Sequence, residues 1–381
     1  MRDISEKQRL TLTIAALAAI VLLGLLLAFG GGSKKDAANG KVLNIYMWSD
    51  YIGDSTVADF ERETGIKVHF DTYDSNETLF AKLVAGHTGY DIIVPSSNWA
   101  KLEIKSGLLH PLNRTLLPNQ KNVDPALLQR LTAVDPGNQY LTPWLWGLTT
   151  VGINVDKVKA AIAPMPLPDD AWDLVFKPEY ASRLKGCGLS MMESADEMLP
   201  AALHYLGRPA FSHDPADYQA AAALLRPVRP YVTLFSSSGY INDLAGGSLC
   251  VAVGYNGDIG IAGQRARESG NGQHIEALLP KSGAIMFFDT MAIPADAEHL
   301  EAAHKWIDYI YRPEVQAGIV NKVFYANTVR AADPLIRPEI LGNKAVFLPD
   351  ADVARMTPPD MVDNATRRIR TRLYTSFKAG L

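Results

Sequence analysis

Residues 42–97 read VLNIYMWSDYIGDSTVADFERETGIKVHFDTYDSNETLFAKLVAGHTGYDIIVPSS, and their hydrophobic period switches back and forth. VLNIYMW alternates apolar and polar residues as a strand does. STVADFERETG carries its apolar residues at helical spacing, with Ser55 at the start and Gly65 at the end, residue types that open and close helices. IKVHFDTY returns to a strand and SNETLFAKLVAG to a helix. DIIVP is nearly all apolar, which predicts a third strand central in its sheet. This βαβαβ order implies parallel strands joined by right-handed crossovers. Ligands of such sheets bind beyond the carboxyl ends of the strands. Trp48, Ser49, Asp50 and Tyr51 stand at one such end, and Ser96 at another. A carboxylate set among two large rings is costly unless something positive meets it. The cluster therefore reads as one wall of a pocket for a partly apolar cation.

Working outward, NWAKLEIKSG predicts a further helix, and the TTVGINV run a strand that leaves the first unit. A second α/β unit follows: WDLVFKPEYASRL, the strand CGLSMM, the helix SADEMLPAALHYLG, the long helix DPADYQAAAALLRPV, the short YINDLAGG, the strand CVAVGY and the helix DIGIAGQRARESG. The strands HIEALLP and AIMFFDTMAIP lead to one long helix, HLEAAHKWIDYIYRPEVQAGIVNKV. Two such units with chain crossings near 146–152 and 286–294 predict two lobes that rotate about a hinge over a cleft. The expected division is 41–150 with about 288–330 in lobe 1, and 151–287 with about 331–381 in lobe 2.

The N-terminus sets the compartment. Arg2, Lys7 and Arg9 precede TLTIAALAAIVLLGLLLAFG (11–30), which carries no charge. A basic stretch followed by an apolar one is an export signal, and its length also suffices to span a bilayer. Residues 1–40 are thus a cleaved signal peptide or a retained inner-membrane anchor, followed by a tether. No cysteine lies near the leader, which argues against a lipoprotein. The full chain of 381 residues has a formal charge of −4; without residues 1–30, 34 basic groups face 39 acidic ones, leaving −5. No basic run or aromatic-basic stripe suggests nucleic acid. The eight histidines are scattered, and His299 and His304 do not sit at metal-ligand spacing on adjacent turns. Outside the cytoplasm the only two cysteines, Cys187 and Cys250, favour one disulfide over two buried thiols.

Six clusters at strand ends or in loops could carry chemistry: WSDY (48–51), PSS (95–97), ESADE (193–197), GYNGD (254–258), FFD (287–289) and VFYAN (323–327). Singly, each has a plain structural reading, since an acid after a strand often caps the next helix. Together, in an exported two-lobe chain, they supply more acids and rings than cores or caps require. The phrases IYMWSDYI, FERETGIKV, GYDIIVPSS, YINDLAGG, CVAVGYNGD, AIMFFDTMAIPADA and VFYAN carry a resemblance, from about residue 42 to the end. The chain resembles the polyamine-binding proteins of bacterial ABC importers, most closely the putrescine-binding branch. The resemblance implies a two-lobe type II periplasmic-binding fold that closes over a linear diamine and presents it to a membrane permease, working as a monomer without cofactor or metal. It implies an aromatic box of Trp48, Tyr51, Tyr255, Phe287 and Tyr325. Polar contacts would come from Ser49, Asp50, Ser96, Glu197, Asp258 and Asp289. It also supports the Cys187–Cys250 bridge. At Tyr255 the chain departs from the branch, which carries a tryptophan there, so the preferred polyamine stays open.

The chemistry is coherent with that list. A diamine at neutral pH is two ammonium heads on an apolar stem, so carboxylates are needed at both ends and ring faces between them. Each ring contact adds cation–π attraction of roughly 0.5–2 kcal/mol. The resemblance implies Asp258 at one end, with Glu197 acting through water, and Asp289, Ser49 and Asp50 at the other. Two rivals remain. Asp258 and Asp289 would serve as acid and base in a glycosidase, but GxSxG, HExxH, P-loop and dinucleotide fingerprints are absent from the sequence. A sensor using the same cleft would report to a membrane receptor instead of feeding a transporter.

Overall fold

The computed structural model describes residues 41–381; the signal or anchor and tether expected at 1–40 lie outside the described residues. The opening stretch folds as β1 (Val42–Trp48), a helix Thr56–Thr64, β2 (Lys67–Tyr73), a helix Asn76–Ala85 and β3 (Ile92–Ile93). Leu43, Ile45 and Met47 point into the core while their neighbours are half-exposed, as the alternation requires. Gly65 closes the first helix in the left-handed region at φ 69°, and the Ser75 hydroxyl caps the second by accepting from the Thr78 N–H.

The strands are parallel in the order β2-β1-β3, so β1 is central and not β3. Ile92 and Ile93 are nevertheless fully buried. The free edge of β3 is covered by backbone from far along the chain: Ile93 and Ala292 exchange both N–H···O bonds at 3.0 Å. A continuous apolar run thus marked burial, not position in the sheet.

The second sheet is mixed. β4 (Leu109–His110) precedes it in the chain and pairs elsewhere. β5 (Thr142–Asn154), β6 (Leu189–Met191), β7 (Leu234–Phe235), β8 (Val251–Tyr255), β9 (Ile275–Leu278) and β10 (Ile285–Met291) build it in the order β10-β5-β8-β6-β7, with β9 also on β5. A last short strand, β11 (Ile293–Pro294), pairs with β4. β6 and β8 run parallel, and the Cys187–Cys250 disulfide ties together the residues that lead into them, with Cα atoms 5.5 Å apart.

β5 and β10 connect two hydrophobic cores. Trp144 and Leu145 belong to the first core, Leu148, Val151 and Ile153 to the second. On β10, Ile285 packs in the second core, and Phe287 and Met291 in the first. The first core also takes in Tyr240, Ile241, Leu244, Ile259, Ala262 and Ile275, so the packing of this α/β fold runs continuously past the division expected from the sequence. β5 is longer than the TTVGINV run, beginning at Thr142. The single long helix expected at 299–323 is two, Leu300–Ile310 and Pro313–Val323. Pro313 has no N–H to continue the first helix and is well placed to start the second. A final helix, Asn364–Ala379, has no counterpart in the sequence reading; Asp363 caps it and Tyr374 and Phe377 bury one face in the second core.

Candidate functional site

The first wall forms where β1, β2 and β3 end. The Trp48 indole N–H donates to the Val94 carbonyl at 2.9 Å, and the Tyr73 hydroxyl donates to the same oxygen at 2.5 Å. Their rings pack 4.7 Å apart. Asp50 follows with φ 53°, a left-handed turn that Asp tolerates better than most residues. Beyond it the buried Tyr51 donates its hydroxyl to Asp289 Oδ2 at 2.9 Å. Ser96, the residue preceding the helix Ser97–Lys105, donates to Asp289 Oδ1 at 2.7 Å.

Asp289 comes from β10. The β10–β5 ladder shifts register between Phe288 and Thr290, so Asp289 leaves regular pairing and bridges to Ser96 instead. It is 3% exposed. Burial pushes its carboxyl up to about 7 against the opposing help of Ser96 and Tyr51, and the Glu197 charge raises it further.

The second wall follows β8. Asp258 lies in the first turn of the helix Asn256–Ser269. Tyr325 donates to its Oδ1 at 2.6 Å and Tyr240 to its Oδ2 at 2.7 Å. Burial lifts this carboxyl to about 6, with the two hydroxyls holding it down. Tyr240 also accepts from the Tyr255 N–H at 2.9 Å, locking the start of the helix. Glycines make room for these rings: a Cβ at Gly254 would overlap Tyr240, and one at Gly257 would overlap Tyr325. Glu197, near the start of the helix Ala195–Tyr205, accepts from Thr149 at 2.5 Å, and burial pushes it up to about 7.

Rings line the space between the acids. Tyr51 meets Tyr325 edge-on at 5.0 Å, Tyr325 meets Phe287 at 5.6 Å, and Phe287 meets Tyr255 at 5.1 Å. One cavity is lined by Trp48, Ser49, Asp50, Tyr51, Ser96, Glu197, Tyr255, Asp258, Phe287, Asp289 and Tyr325, the whole set expected from the sequence. It is also lined by Tyr73, Asp74, Ser237, Ser238 and Ile241, which the sequence reading missed. Tyr73 was findable by the rule that located Trp48, since it ends β2. Tyr240 had no such signal, because it acts from beneath Asp258 without lining the cavity.

The charges group differently from the expectation. Asp50 faces Arg265, on the same helix as Asp258, at 2.9 Å. Its charge is felt by Asp258, while the Glu197 charge is felt by Asp289. Asp258 with Asp50 thus forms one end, and Asp289 with Glu197 the other. Among the described residues none of Asp258, Asp289 and Glu197 is ion-paired, and no cluster of three or more His, Cys, Asp or Glu is arranged to hold a metal ion. Three unpaired carboxylates sharing a ring-lined cavity favour a cation that brings its own hydrogen-bond donors.

Fold and cavity define a two-lobe binding protein with a ligand site between its walls. Residues 55–337 match the family of bacterial extracellular solute-binding proteins, and the chain belongs to it. It is 44% identical over 362 residues to the putrescine-binding periplasmic protein PotF of Escherichia coli, covering 94% of this chain and 97% of that one. It is 45% identical over 361 residues to the putrescine-binding periplasmic protein SpuD of Pseudomonas aeruginosa, covering 94% and 98%. Among solved structures, the spermidine/putrescine ABC transporter substrate-binding protein PotD of Streptococcus pneumoniae superposes with a TM-score of 0.72 at 25% identity, covering 89% of this chain and 99% of that one.

Proposed function

We propose that the protein is the periplasmic receptor of an ABC importer and binds a linear polyamine, putrescine foremost, between its two lobes. The observation that carries this reading is the pair of acidic ends, Asp258 and Asp289–Glu197, separated by the rings of Tyr51, Tyr255, Phe287 and Tyr325. A dication laid between them satisfies carboxylates that are otherwise unpaired, and its methylenes lie on ring faces. The relatives' own descriptions, as putrescine-binding periplasmic proteins, support the same ligand class.

The lobes in this proposal hinge at β5 and β10, with lobe 1 built from 41–150 and about 288–330, and lobe 2 from 151–287 and the C-terminal segment. Arg337 bonds Asn321 through its N–H and its guanidinium, which keeps 330–341 with lobe 1. Met356 packs in the second core and Thr357 bridges to Ile285, so the return to lobe 2 falls between about 341 and 356. Ligand binds one wall in the open state, closure brings the second wall, and the population shifts to the closed form that a permease recognises. The protein acts as a monomer and releases its ligand chemically unchanged. Calorimetric titration of the full chain with putrescine, cadaverine, agmatine, spermidine and spermine tests the reading: saturable binding of at least one is expected, and no binding of any overturns it.

A further inference from the structure

Ser96 holds the N-cap position of the helix Ser97–Lys105 without capping it: its hydroxyl accepts no bond from the first turn of that helix. A serine at this position ordinarily accepts from the second or third helical N–H. Here the hydroxyl is engaged elsewhere on both sides. It accepts from the Asn76 side-chain amide at 3.2 Å and donates to Asp289 Oδ1 at 2.7 Å. Asn76 is the first residue of its own helix, whose start is fixed by the Ser75 cap. It lines a chamber outside the cavity that contains Asp258 and Asp289, and does not line that cavity itself.

The directions of these bonds follow from one donor that cannot reverse. The Ser96 backbone N–H donates to Asn76 Oδ1 at 3.1 Å. That contact turns the amide oxygen toward the N–H, so the amide NH2 faces the Ser96 hydroxyl. A hydroxyl has one hydrogen, and with a donor already on its oxygen that hydrogen points at Asp289. The opposite wall uses the same logic with main-chain donors. Tyr240 accepts from the Tyr255 N–H at 2.9 Å and Tyr325 from the Asp258 N–H at 3.2 Å, and each gives its own hydrogen to the Asp258 carboxylate. Of these three hydroxyls, Ser96 alone is oriented by a side chain, which a substitution can replace.

We propose that Asn76 is a positioning residue for the ligand site, directing the Ser96 hydroxyl at Asp289 from outside the cavity. The inference rests on the polyamine reading and names a residue that tunes that same site without touching the ligand. The titratable groups that face Asp289 are Tyr51, Tyr73, Tyr255 and Glu197. Of these, Tyr51 alone bonds it. With the Ser96 hydrogen turned away, Asp289 is left with Tyr51, and its carboxyl, already raised by burial, rises further.

Asn76→Asp tests this, because it keeps an acceptor for the Ser96 N–H but replaces the donor with a second acceptor that competes for the hydroxyl hydrogen. Putrescine affinity, by calorimetry on the full chain at pH 7.5, is expected to fall about fivefold, and its loss on acidification to begin at a higher pH. An added negative charge acting alone would instead tighten a dication. Ser96→Ala has no hydrogen to divert, so Asn76→Asp in that background is expected to weaken binding by no more than about twofold, or to tighten it. Carbon-13 titration of the Asp289 carboxyl in the unliganded protein makes the same comparison without ligand: Asn76→Asp should raise its midpoint more with Ser96 present than with Ala. An unchanged or tighter affinity for the single Asn76→Asp variant, or equal effects in the two backgrounds, overturns the proposal and leaves polyamine binding standing. Failure of the unmodified protein to bind putrescine and spermidine overturns the polyamine reading, and the carboxyl titration then decides by itself whether Asn76 orients Ser96.

Discussion

Asp258 and Asp289 look alike as acids that each accept two hydroxyl hydrogen bonds, yet one is lifted to about 6 and the other to about 7. The difference lies in what each wall is made of. Asp258 sits in the first turn of a helix, where N–H groups and the dipole favour its charged form, and Arg265 on the same helix partly offsets the opposing charge of Asp50. Asp289 hangs from an irregular strand, nearly sealed from water, with Glu197 as its charged neighbour. The Asp258 end is therefore the more permanent charge of the two, and the Asp289 end the more conditional on a cation that stabilises it. The asymmetry predicts a binding order, in which an ammonium lands first on the Asp258 end and closure over the second ammonium ionises the Asp289 end.

The largest effect should come from breaking the permanent end. Asp258→Asn is expected to weaken putrescine binding about 100-fold or more at pH 7.5, the loss typical when one member of a desolvated charge pair is removed. The unliganded protein should melt no earlier, because the amide oxygen still accepts from one tyrosine hydroxyl, its NH2 donates to the other, and a costly buried charge is removed. Calorimetry and thermal melting check the two halves; an unchanged affinity removes Asp258 from the site.

Asp289→Asn should cost less, about 10- to 30-fold at pH 7.5, since part of the wild-type population already carries a proton there. The penalty should grow at pH 8.5 and nearly vanish at pH 6. A penalty independent of pH would mean that the two ends are equivalent and that the asymmetry is wrong.

Proton linkage sharpens the same contrast. The pKa values of Asp258, Asp289 and Glu197 are raised in the folded state, so the unliganded fold binds more protons than the unfolded chain between about pH 4 and 7. Their contribution to stability is present at low pH and is lost as pH rises through 6–7. Ligand affinity runs the other way, because protons and ammonium compete for the same oxygens. Putrescine affinity is expected to fall about 30-fold between pH 8 and 5.5 while the unliganded protein gains from these groups. Titrations in two buffers of different ionisation enthalpy should show proton release on binding near pH 6.5; no release would remove the linkage.

Much of this was legible in the sequence, and what was not has physical reasons. The βαβαβ start is written in local periodicity, and the strand-end rule is enough to put Trp48 and Ser96 at the cavity. Residues at a cavity were readable because they are costly anywhere else. Which acid neighbours which was not readable: Asp50 turns to Arg265, a contact over more than 200 residues that no local pattern encodes. The place of β3 at an edge depended on Ala292, equally remote. The helix Asn364–Ala379 escaped because polar residues, Thr366 and Arg370, fill the first half of its buried face, and only Tyr374 and Phe377 near its end are large apolar anchors.

The smallest expected effect probes the support beneath each acid. Tyr240 and Ser96 each donate one hydrogen bond to a carboxylate, at 2.7 Å in both cases, one on each wall. Deleting a hydroxyl of this kind costs about 1 kcal/mol, roughly a fivefold loss of affinity for either Tyr240→Phe or Ser96→Ala. The two variants should part in their pH profiles. Tyr240→Phe removes a donor that holds Asp258 down, so the permanent end begins to behave like the conditional one and the affinity drop on acidification starts at a higher pH. Ser96→Ala acts on an end that already titrates near neutrality, so it deepens the loss without changing its character. Tyr240→Phe also frees the Tyr255 N–H of its partner at the start of the helix, which the serine change does not. Identical pH profiles for both variants would show that the helix, and not the tyrosine, keeps Asp258 charged.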